Sequence, residues 1–127
     1  MIVSLDDTIE CCVYTGKATP DAVETLLSRR FSSVPRDDFI EVGSHLIEVR
    51  RSEEKWAEEE QVVFMQWPVH VELYGDHDDP SGFTGLTTTV LTTLWAHGYP
   101  AVAACHFEHE LPWSGGIQSP VMPPEHF

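Results

Sequence analysis

Asparagine is absent from these 127 residues, lysine occurs twice, and neither lysine nor arginine occurs after Lys55. Without asparagine there is no N-glycosylation sequon, and a chain poor in lysine and asparagine fits a GC-rich, bacterial coding genome. Cysteine is scarce: Cys11, Cys12 and Cys105 make an odd count with no C-x-x-C pair. Adjacent cysteines do not easily bridge each other, so neither a disulfide framework nor a zinc ribbon is expected, and three reduced thiols are. No run approaches the ~20 apolar residues that span a bilayer. The first seven residues lack the basic and apolar regions of a secretory signal, which leads to the expectation of a soluble cytoplasmic protein with no membrane partner. Also missing are a phosphate-cradling glycine loop, a G-x-S-x-G elbow and an H-E-x-x-H motif. No metal and no cofactor are therefore expected.

What the chain has in excess is negative charge. Twenty-one Asp and Glu face seven Lys and Arg, giving a formal net charge of -14. Nucleic acid is an unfitting partner, because its backbone needs a basic footprint. The seven basic residues all lie in the first 55 positions, and the rest of the chain carries ten carboxylates and six of the seven histidines. A cationic partner suits that half. Its acidic clusters are Glu58, Glu59 and Glu60, and then Asp76, Asp78 and Asp79. The second cluster opens a loop, residues 76–82, that is only superficially similar to a calcium loop: Pro80 occupies a ligand position, and Thr87 stands where a bidentate Glu is needed.

With 42% hydrophobic residues the chain can bury a core, and its periodicities divide it into six elements. Residues 8–14 alternate as a strand, with Ile9, Cys11 and Val13 on one side and Glu10, Cys12 and Tyr14 on the other. Thr19 and Pro20 read as a helix start, and Ala22, Val23, Leu26, Leu27 and Phe31 form one stripe behind them. A second strand covers residues 39–50; its apolar positions change phase near Gly43 and Ser44, which reads as a bulge. Residues 61–74 form the longest strand, with Val63, Met65, Trp67, Val69, Val71 and Leu73 on its core face. Leu86, Val90 and Leu94 predict a helix over 83–97 despite its threonines, and Thr87, Thr88, Thr89, Thr92 and Thr93 are expected on its wet side. Residues 101–111 alternate as a last strand.

The order β-α-β-β-α-β is that of a ferredoxin-like α+β sandwich, an antiparallel sheet of order 4-1-3-2 with two helices on one face. The expected domain covers residues 1–111. Residues 112–127, rich in Pro and Gly, read as an extended tail packed on the domain or trailing from it.

In that arrangement the uncovered sheet face collects Glu10, Cys12 and Tyr14, then Phe64, Gln66, His70, Glu72 and Tyr74, then His106, Glu108 and Glu110. His70-x-Glu72 and His106-x-Glu108 each place an imidazole and a carboxylate on one side of a strand, because residues i and i+2 share a face. Two such pairs flanking Glu10 and Cys12 have the donors to bind a divalent transition metal through nitrogen and oxygen, or to hold a general acid and base. They are too loosely specified for a closed metal site, and no metal is expected. Cys12 beside a histidine has the parts of a nucleophile, yet acidic neighbours raise a thiol pKa and work against it. The leading expectation is a small acidic, non-enzymatic binding protein that docks a cationic protein partner through Glu58, Glu59, Glu60, Asp76, Asp78 and Asp79. An immunity-type inhibitor of a toxin is its concrete form. The competing expectation is a small enzyme or ligand-binding homodimer that uses the open face, with His70, Glu72, His106 and Glu108 lining it.

Overall fold

The computed structural model describes residues 8–52 and 66–116. Strands β1 (Thr8–Thr15), β2 (Phe39–Val42), β3 (His45–Arg51), β4 (Val69–Asp76) and β5 (Ala101–Ala104) form one sheet of order β2-β3-β4-β1-β5 in which every pairing is antiparallel. Helix α1 (Pro20–Phe31) follows β1, and α2 (Pro80–Ala96) follows β4. The protein is therefore an α+β fold with five strands, where four in the order 4-1-3-2 were expected.

The additional strand comes from the second strand region. The phase change at Gly43 is a chain reversal rather than a bulge: Val42 pairs with His45, and Gly43 adopts φ +61° between them. A two-residue turn of this kind needs a left-handed residue, which glycine supplies without a Cβ penalty.

Both helices start as the sequence dictates. The Thr19 hydroxyl accepts a hydrogen bond from the Ala22 amide at 3.2 Å, with Pro20 next in the first turn. Asp79 caps α2 in the same way, accepting from the Gly82 amide at 3.2 Å, so that helix begins one turn earlier than the periodicity indicates. Its threonines satisfy themselves locally: the hydroxyls of Thr84, Thr87, Thr88, Thr89 and Thr92 each donate to the carbonyl four residues back. That removes the usual cost of burying a hydroxyl. Thr87 and Thr93 are in fact buried, contrary to the expected wet face.

One sheet face carries the core. Cys11 and Val13 from β1, Ile40 and Ile47 from the hairpin, and Val69, Val71 and Leu73 from β4 meet Val23 and Leu27 of α1 and Phe83, Leu86, Val90, Leu91 and Leu94 of α2. Trp67 does not join them. Residues 66–68 turn before β4 begins, the alternation is lost at Pro68, and Trp67 packs with Val102 and Tyr14 in a separate cluster on the outer face. Val63, Met65 and Phe64 lie outside the described residues.

β5 ends at Ala104, well short of residue 111. Its continuation is diverted where Glu108 reaches back to accept the Cys105 amide at 3.3 Å; a 3-10 turn, Glu108–Glu110, follows, and then a turn over Pro112–Gly116 with left-handed backbone at Trp113, Ser114 and Gly115. The second turn folds onto β5 instead of running extended. Gly116, at φ +113°, leaves no room for a Cβ against the Ala101 carbonyl. Among the described residues no helix is long and apolar enough to cross a membrane.

Candidate functional site

The outer face of the sheet is a small lattice set by the pairing register. Cys12 on β1 stands opposite Glu72 on β4, which stands opposite Glu48 on β3; one step along, Tyr14, His70 and Arg50 form the next row. Because side chains of i and i+2 share a face, the ladder brings Cys12, His70 and Glu72 together. One donor atom from each lies within 4.8 Å of the others, and all three side chains are half-buried. Arg50 Nη1 approaches Glu72 Oε1 at 3.9 Å, and the Tyr74 hydroxyl donates to Glu48 Oε1 at 3.2 Å. Tyr14 meets the His70 ring edge-on with centroids 4.8 Å apart.

The electrostatics of this face disfavour anions beyond those already present. Burial, followed by the Glu72 carboxylate, pushes the Cys12 thiol up to about 12. Burial also comes first for Tyr14 and Tyr74, each pushed up to about 12, with Cys12 and Glu48 respectively adding to it. A thiol held protonated is a poor nucleophile at neutral pH, so the geometry gives no support to thiolate catalysis. Cys11 points into the core, where its hydrogen bond to Cys105 and its burial both push its thiol up. None of the three cysteines is in a disulfide.

The expected quartet of His70, Glu72, His106 and Glu108 is not assembled. His70 and Glu72 sit on the sheet; His106 and Glu108 lie beyond the end of β5, exposed to solvent. His106 and Glu110 instead line a groove of about 870 Å³ at the end of the sheet, together with Ile9, Glu10, His77, Pro80, Ser81, Phe83, Thr84 and Phe107. Its floor is apolar and its rim carries two carboxylates and two imidazoles. None of the lining residues is Lys or Arg.

The acidic cluster at this end divides by role. Asp79 caps α2 and its Oδ2 lies 3.3 Å from His45 Nε2; Asp76 Oδ1 accepts the Asp78 amide at 2.9 Å; Asp78 projects into solvent. Glu58, Glu59 and Glu60 lie outside the described residues. His45 is the residue that sequence reasoning overlooked. It is buried on β3 with Nδ1 accepting the Asp76 amide at 3.0 Å. That bond places the neutral imidazole's proton on Nε2, facing Asp79. Its place two residues before the core residue Ile47 was the available signal, since i and i+2 share a face. The partnership of Glu48 and Arg50 with Glu72 carried no local signal, because register is a long-range property. Comparison with protein-family models, curated proteins and solved structures finds no match to this chain.

Proposed function

We propose that this chain is a small acidic binding protein that docks a cationic protein partner at the groove end of its sheet, in the manner of an immunity-type inhibitor held against a toxin. The observation that carries the reading is the convergence of two acids distant in sequence, Glu10 on β1 and Glu110 after β5, around one groove with an apolar floor, beside the acidic turn that precedes α2. Ile9 and Phe107, both partly exposed, suit the methylene stem of an Arg or Lys, while Glu10 and Glu110 suit its charged head. The net charge of -14 supplies long-range attraction. Three thiols outside any disulfide suit a cytoplasmic home. On the fold, the run β3-β4-β1-β5 supports a ferredoxin-like split βαβ sandwich with β2 added at one edge.

The test is kinetic. A partner captured from the source cell is purified and its association measured across a salt series against the native chain, against a triple reversal of Glu10→Lys, Asp78→Lys and Glu110→Lys, and against the control Glu41→Lys on edge strand β2. The reading expects a basic partner whose association slows roughly 10- to 1,000-fold in the triple variant and falls steeply with salt, while the control stays near native. A neutral or acidic partner, or one indifferent to the triple reversal, refutes it.

A further inference from the structure

We propose that Cys12, His70 and Glu72 form a binding site for one divalent transition metal of the zinc class, with three protein ligands and a fourth position open to water or another donor. The site does not rest on the docking reading, because its residues lie on the outer sheet face and not in the groove.

The donor set comes first. One sulfur, one imidazole nitrogen and one carboxylate oxygen are the three ligand types zinc takes, whereas calcium and magnesium take oxygen. Geometry comes next. The three donors are held by two paired strands in the middle of a five-stranded sheet, with Cys12 directly across from Glu72 and His70 one step along the same face. Tetrahedral zinc with ligand bonds of 2.0–2.3 Å sets its donors about 3.3–3.8 Å apart. Donors already within 4.8 Å of one another reach that spacing by about 1 Å of side-chain adjustment, with no movement of backbone. The surroundings match what a metal site needs outside its ligands. Arg50 orients the Glu72 carboxylate from the far side, and Tyr14 braces the His70 ring. Trp67 and Val102, both buried, pack against Tyr14 in turn.

Three ligands and an open position describe a catalytic or ligand-receiving metal rather than a closed structural one. On binding, the Cys12 thiol gives its proton to solvent and the sulfur becomes a metal thiolate. This arrangement differs from the metal-free expectation drawn from the sequence, in which His70, Glu72, His106 and Glu108 flanked Glu10 and Cys12; His106 and Glu108 lie elsewhere, and among the described residues Cys12, His70 and Glu72 alone come together.

Cobalt(II) reports the site directly. The reduced, metal-free full chain is titrated with cobalt(II) alone, followed in the near-ultraviolet for sulfur-to-cobalt charge transfer and in the visible for the intense bands of tetrahedral cobalt. Zinc(II) is then added to displace it. The expected result is both sets of bands saturating at one cobalt per chain and bleached by one zinc. Cys12→Ser loses the charge-transfer band. His70→Ala and Glu72→Gln each weaken binding by at least the roughly 10–100-fold that loss of an outer partner costs. Cys105→Ser, whose side chain points towards Cys11 rather than Cys12, keeps the full spectrum. Circular dichroism of every variant separates loss of ligand from loss of fold, and Glu72→Gln, nearly isosteric, serves if Cys12→Ser does not fold. No charge-transfer band at saturating cobalt, a band that survives in Cys12→Ser, or one that disappears in Cys105→Ser overturns the assignment.

Discussion

The two regions proposed to bind ligands are organised in opposite ways. On the outer sheet face Cys12, His70 and Glu72 are fixed by backbone ladder, half-buried, and surrounded by specific partners. At the groove end Glu10, Asp78 and Glu110 are exposed, and Asp78 and Glu110 belong to turns. A register-fixed group can meet one small ligand at bond-length tolerance. Charges on turns act as a field, tolerant of geometry and sensitive to salt. Identical residue types, histidine and glutamate, are therefore suited to different chemistry according to the element that holds them.

The comparison breaks most easily through Phe83, which is fully buried beneath the groove, with ring contacts to His45 at 5.6 Å and Phe107 at 5.7 Å. Phe83→Ala should cost about 3–5 kcal/mol in denaturant unfolding and should loosen the groove end before the outer face. Hydrogen exchange that opens β1 and β4 as early as the segment after β5 would show that the two regions are one unit.

A smaller effect separates acids that hold the fold from acids that face solvent. Asp79→Ala removes the α2 cap and the His45 contact and should cost about 1–2 kcal/mol. Asp78→Ala, which removes only a solvent-exposed carboxylate, should stay within about 0.5 kcal/mol. Equal costs in chemical denaturation would erase the division of roles drawn within this cluster.

At neutral pH the last effect vanishes altogether. Cys12, Tyr14 and Tyr74 all have folded pKa values raised to about 12, with burial the first cause in each. A raised value contributes stability that is fully present below the unfolded pKa and lost as pH rises through the folded one. Stability of the metal-free chain should thus hold up to the ordinary thiol value of 9.0 and decline from there towards pH 12. Phenolate absorbance that develops fully near the ordinary tyrosine value of 10.0, with the fold intact, would mean that this face is wetter than described.

Much of the fold was legible because it follows local rules. The alternation of β1, the Thr19-Pro20 start of α1 and the apolar stripe of α2 are all short-range signals, and the structure keeps them. The errors came where one local signal has two structural meanings. A phase change at Gly43 fits a bulge or a reversal equally, and only the Val42–His45 pairing decides. The alternation beyond Ala104 misled for a similar reason: Phe107 and Leu111 still pack on the core, but from turns and loop rather than a strand. Half of the sheet-face site was legible as His70-x-Glu72. The other half, Cys12 directly across from Glu72, depends on register, which no stretch of sequence encodes by itself.

The claim that the two regions do separate work is tested most directly by amide NMR on one metal-free sample, titrated first with a lysine-rich peptide and, after its removal, with zinc(II). The account predicts that the peptide shifts His77, Asp78, His106 and Glu110 while leaving His70 and Glu72 in place, and that zinc shifts Cys12, His70 and Glu72 while leaving the groove in place. A single set of residues responding to both ligands, or zinc responses centred on His77 and His106, would contradict it.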